Sequence, residues 1–124
     1  MKTLIAAIAL ASALGGSAQA LENNALQTFA TCVGRLSAVM EHQWMFDGPA
    51  SEKTNTSRAH LLDLVAAVME PEQSSEVLQW RISGKHAQAI LLSRATFSDD
   101  ADDAAWARAQ ALQFEQGCTG LLLS

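Results

Sequence analysis

The chain has 124 residues, 49% of them hydrophobic, and its 13 Asp and Glu against 8 Lys and Arg give a formal charge of −5. That length holds one compact domain, and the acidic balance argues against nucleic acid or an anionic membrane as a partner. Nothing after the first twenty residues is apolar for the roughly 20 positions that a bilayer span needs, so no stable membrane insertion is expected.

Lys2, the apolar run from Leu4 to Leu14, Gly15-Gly16 and Ala18-Gln19-Ala20 before Leu21 form the pattern of a secretory signal peptide with a small-x-small cleavage site. No Cys follows the apolar run in a lipobox, so no lipid anchor is implied. The expected organisation is a signal peptide over 1–20 and a single helical domain over 21–124, one charge more negative because Lys2 leaves. The style is that of small exported helical proteins of Gram-negative bacteria, with no shared motif, and the expected compartment is the periplasm.

The first helix spans Leu21 to Phe46. At 100° per residue, Leu26, Phe29, Val33, Leu36, Met40 and Trp44 share a band roughly 80° wide, as an amphipathic helix requires. The opposite side carries Asn24, Thr31, Ala38 and His42 and is either solvated or turned toward a second neighbour. Cys32 sits on the flank of the stripe. In an oxidising compartment, two cysteines in a small domain read as one disulfide, Cys32 to Cys118, with free thiols or an intermolecular bond as the alternatives. The absence of Cys-x-x-Cys removes support for thiol exchange and for covalent haem attachment.

Asp47-Gly48-Pro49 breaks the first helix, and the polar run Ser51 to Ser57 reads as a loop. Asn55-Thr56-Ser57 fits a glycosylation pattern in name only, given the bacterial look of the signal peptide. A second helix covers about Thr56 to Met69, with Leu61, Leu62, Val65, Val68 and Met69 on one face. Glu70-Pro71 ends it, and Pro71 opens a third helix reaching about Ala95. There Leu78, Ile82, Ala89 and Leu92 mark the core face, while Trp80 and Leu91 point elsewhere. Gly84, costing about 1 kcal/mol against Ala in a helix, implies a close helix crossing or a bend. Ser98 reads as the N-cap of a fourth helix whose first turn holds Asp99, Asp100, Asp102 and Asp103. Gly117 reads as its left-handed stop, with Leu121, Leu122 and Leu123 as a docked apolar tail. The expected fold is all-α, a small antiparallel four-helix bundle fastened by the disulfide, with one Trp per long helix (Trp44, Trp80 and Trp106) as large core anchors, Trp80 being the exception if it lies outside the core.

No Ser, His and acid set sits on a strand-to-helix elbow, and no cofactor motif occurs, so the leading expectation is a non-enzymatic module binding a protein partner or a small apolar ligand. Trp80 and Leu91, outside the core face, are the candidates for such a surface, with His86 on the edge of the third helix's apolar face; the simpler reading of His86 is a buried histidine with a hydrogen-bond partner. A second class is periplasmic metal or haem handling through His42 and Met45, three apart on the first helix, with His86 as a further candidate. Met40 lies in the core stripe, about 160° from His42, and cannot serve the same ion. The Asp99–Asp103 cluster lacks the spacing of a calcium loop and is explained by helix-start electrostatics. An acid-stress chaperone is a third class, since the carboxylates lose charge at low pH. Mass spectrometry of the native chain before and after reduction and alkylation is expected to show both thiols blocked until reduction.

Overall fold

In a computed structural model, which describes residues 13–123 and their side chains from residue 18 on, four helices account for nearly all of the described residues. Lys2 and most of the apolar run of the expected signal peptide lie outside the described residues. The helices are α1 (Ala13–Phe46), α2 (Gly48–Val68), α3 (Ser74–Phe97) and α4 (Ala101–Gly120), with a single 3-10 turn at Pro71–Gln73 before α3 and no strand among the described residues. Along α1 the side chains of residues 18–24 are exposed, and Leu26 is the first to be buried.

The break at Asp47-Gly48-Pro49 is there, but no loop follows it. Asp47 caps α2 by accepting from the Ala50 amide, and Pro49 sits in the first turn, where its missing N–H costs nothing. The polar run expected as a loop is helical because its hydroxyls find acceptors close by. Ser51 donates to the Gly48 carbonyl, Thr54 to Gln43 Oε1 at 2.6 Å, and Thr56 to the Glu52 carbonyl at 3.1 Å. Pro71 opens the 3-10 turn rather than α3 itself, and Glu70 and Gln73 close a reciprocal capping box around that turn. At α4 the N-cap is Asp100, which accepts from the Asp102 and Asp103 amides; Ser98 ends α3 instead. Gly117 does not stop α4, which runs on to Gly120 with buried Cys118 in its last turn, bonded to Cys32 with the two Cα atoms 5.4 Å apart.

Side-chain pairs give the topology. Ser37 with Arg58 and Gln43 with Thr54 run α2 antiparallel to α1, and Gln88 with Ala111 and Arg94 with Asp103 run α4 antiparallel to α3. Asn23 with Gln73, Arg35 with Gln88 and His42 with Thr96 make α1 and α3 parallel and in direct contact. In a square up-down-up-down bundle those two helices are the diagonal pair and stand apart. Here glycines bring them together. A methyl group on Gly34 would run into the Arg81 carbonyl and stand 2.8 Å from the Lys85 amide nitrogen, and one on Gly84 would run into the Thr31 carbonyl. The close crossing expected at Gly84 is therefore the α1–α3 contact, and Gly34 is its counterpart.

Between Ala30 and Val39 α1 is covered on almost every side, including Ala38 on the side opposite the stripe. One cluster gathers Leu26, Val33, Leu36, Leu61, Val65 and Val77 around the disulfide; another joins α3 to α4 through Leu91, Ala95, Ala107 and Ala111. The tryptophans are not the anchors that their spacing suggested. Trp44 is 61% exposed, Trp106 52% exposed, and Trp80 half-buried against the first cluster. Alanines at the α3–α4 interface let the backbones approach too closely for an indole to fit between them.

Gly34→Ala is expected to lower stability by about 2 kcal/mol or more, because a backbone collision outweighs the gain in helix propensity. Gly117→Ala, with nothing within 4 Å of the added methyl, is expected to raise it by about 0.5–1 kcal/mol. Urea unfolding followed by circular dichroism checks both.

Candidate functional site

Because α2 packs on α1 and barely meets α3, the space between α2 and α3 stays open above α1. It holds two adjoining hollows that share Leu78 and Arg81. The smaller, about 180 Å³, is floored by Gly34 and Ser37 and ringed by Arg58, Arg81 and Lys85 with Met40, Glu41 and Ile82. The larger, about 290 Å³, is walled by Leu62, Val65, Ala66, Met69 and Val77. Together they make one groove, basic at one end and apolar at the other.

Three of the chain's eight basic residues line the small hollow, in a protein with thirteen acids. Glu41 is the one acid among its lining residues, and it is engaged with Lys85 at 2.8 Å. Arg58 is aimed by a hydrogen bond from its Nε to Ser37 Oγ at 2.6 Å, and Ser37 in turn donates to the Val33 carbonyl. The terminal guanidinium nitrogens of Arg58 make no hydrogen bond among the described residues. Arg81 has neither an ion pair nor a hydrogen bond from its side chain among them. Ser37, the bonded partner of Arg58, sits on α1, so the contact that fixes α2 on α1 also fixes the charge in the groove.

A wider cleft, about 680 Å³, lies on the other flank of α2, facing α4. Lys53, His60, Glu115 and Thr119 line it with Leu122. Burial pushes the Glu115 carboxyl above the usual carboxylate range. A third polar feature is internal. Gln88, fully buried, donates through Nε2 to the Ala111 carbonyl at 2.9 Å and accepts from Arg35 Nη1 at 2.8 Å, and the Arg35 guanidinium lies 3.8 Å from the centre of the Phe114 ring. Burial lowers the pKa of Arg35. These bonds tie α1, α3 and α4 together, and among the described residues no buried side-chain polar atom lacks a partner.

The residues singled out from the sequence do not converge. Cys32 and Cys118 form the expected disulfide. Leu91 is buried against Ala95, Ala107 and Ala111 and is no part of an exposed surface; Trp80 is half-buried. The reason is the phase of α3, whose buried arc runs through Val77, Gly84, Gln88, Leu91 and Ala95. Leu78 and Ile82, expected in the core, are exposed at the lip of the groove. His86 is exposed, not buried as its apolar neighbours suggested. His42 Nε2 lies 3.0 Å from Thr96 Oγ1, its ring is 4.7 Å from that of Phe46, and Met45 is exposed. Among the described residues no three His, Cys, Asp or Glu side chains gather as a metal site would need. The groove itself was missed. Arg81 and Lys85, four apart, were a legible basic edge of α3, but Arg58 joins them only through the fold.

Comparison with known proteins finds no matching family model, curated protein or solved structure.

The raised pKa of Glu115 has a definite sign. The folded chain holds this proton more tightly than the unfolded one, so stability is lost as pH rises from the ordinary glutamate range through the raised value. Glu115→Gln is expected to raise the melting temperature at pH 7 and to leave it unchanged at about pH 3; thermal melts at the two pH values check this.

Proposed function

We propose that this protein is an exported, periplasmic, non-enzymatic binding module whose ligand site is the groove between α2 and α3. The observation that carries the reading is the convergence of Arg58, Arg81 and Lys85 on a hollow that continues into an apolar one. Guanidinium groups keep their charge at any physiological pH, so they hold an anion well and transfer protons poorly. That suits binding rather than catalysis. Leu78 and Ile82, exposed at the lip, are the kind of apolar surface that a bound molecule covers. The groove replaces the Trp80 and Leu91 surface as the place where a small ligand meets the fold.

The compartment is supported by two independent features. The first twenty residues have the three parts of a signal peptide, and a disulfide between Cys32 and Cys118 persists where the surroundings are oxidising. Among the described residues no helix is long and apolar enough to cross a membrane. Gentle purification from the periplasm should yield a chain that carries extra mass in native mass spectrometry and loses it on denaturation. Ala66→Trp, which fills the apolar half of the groove from an exposed position, should abolish that mass while preserving the melting temperature. A wild-type chain without extra mass, or a variant that keeps it, would count against the groove as the ligand site.

A further inference from the structure

Resting on the groove as the ligand site, we infer that its ligand is a free single-chain anionic amphiphile, a carboxylate with an unbranched alkyl tail. The basic end asks for a negative charge. Arg58 from α2 and Arg81 from α3 line one hollow of about 180 Å³, and the one carboxylate there, Glu41, is already held by Lys85. Two like charges in a shared hollow repel, and an anion between them relieves the repulsion while accepting hydrogen bonds from both guanidinium forks. The charge of the whole chain limits how much negative charge arrives. At −5, and one charge more negative without Lys2, the protein repels polyanions at long range, whereas a single carboxylate meets only the local field of the groove.

The apolar end asks for a chain. Past Arg81 the groove continues between Val65 and Val77, and along α3 it runs from Ser74 to Lys85. At 1.5 Å per residue that is about 16 Å, the length of an extended alkyl chain of about a dozen carbons. The apolar hollow, about 290 Å³, has room for one such chain, and Leu78 and Ile82 stand exposed at the lip of the groove, where they can cover it. A bilayer headgroup does not fit this shape, because its two tails remain in the membrane while the apolar half of the groove needs filling.

Calorimetric titration of the full disulfide-bonded chain with sodium dodecanoate, below the concentration at which it forms micelles, tests the assignment. One dodecanoate per chain is expected, with affinity that falls as salt rises. Dodecyl maltoside, with the same tail and a neutral head, and acetate, with the head and no tail, should each bind at least tenfold more weakly. Arg58→Gln/Arg81→Gln should lose at least tenfold toward dodecanoate and gain on dodecyl maltoside relative to it. If the double variant does not fold, Arg81→Gln alone serves, since that side chain has no bonded partner among the described residues. Equal binding of the two dodecyl compounds, or unchanged affinity in a folded arginine variant, overturns the anionic head. Uptake of the chain by phosphatidylglycerol vesicles without binding of dodecanoate overturns the free amphiphile in favour of a membrane surface. If dodecanoate fails while the purified chain still carries a mass that Ala66→Trp removes, the ligand class is wrong and the groove stands; if both fail, both readings fall.

Discussion

The close crossing of α1 and α3, at Gly34 against Arg81 and Lys85 and at Gly84 against Thr31, is the constraint on which the rest of the fold depends. Removing two side chains lets the backbones of α1 and α3 touch across what would be the long diagonal of a square bundle. Parallel neighbours have aligned dipoles, which disfavours the pair by a fraction of the ~0.3–1 kcal/mol that a single charge feels at a helix end. Close packing around the crossing and the antiparallel α2 and α4 outweigh that cost. Once α1 and α3 touch, a helix lying on one of them cannot lie fully on the other. α2 therefore sits on α1 with an open flank on each side, and the groove is the flank that faces α3.

The second consequence is a core made of small residues. Ala95, Ala107 and Ala111 mesh α4 onto α3, and the aromatic rings are displaced outward, where cations cover some of them. Arg35 lies over Phe114, and Arg94, paired with Asp103, lies 5.0 Å from the centre of the Trp106 ring. An alanine interface is smooth and slides easily between registers. Gln88 removes that freedom, since its two hydrogen bonds are satisfied only when Arg35 and the Ala111 carbonyl stand in one arrangement, and a slipped register would leave a buried amide unpaired.

How much of this was legible in the sequence follows from which signal each residue carries. The first half of the stripe, from Leu26 to Leu36, the break at Asp47 and the crossing at Gly84 are written in local patterns, the pairing of the cysteines in their number, and each is found, whereas Trp44 at the end of the stripe is exposed. The face of α3 was misread because its buried arc includes a glycine and a glutamine, which no count of apolar residues weights inward. Ser51 to Ser57 misled for a related reason: hydroxyl-rich segments favour turns only when their hydroxyls lack helical carbonyls to bond. The basic hollow was beyond reach, because its two arginines are 23 positions apart on different helices and meet only through the α1–α3 crossing.

Ser37 shows how stability and the groove are joined. It lies on the inner side of α1, where a residue of that size is covered by α2, and its hydroxyl passes a hydrogen bond from Arg58 to the Val33 carbonyl. An apolar residue there would improve the α1–α2 core and release Arg58 into solvent. With its core limited to Leu36, Leu61, Val65 and a few neighbours, α2 relies on this link and on Thr54 with Gln43 to set its register. The same hydroxyl thus fixes a helix and points a charge, so the position of α2 on α1 and the basicity of the groove cannot vary independently.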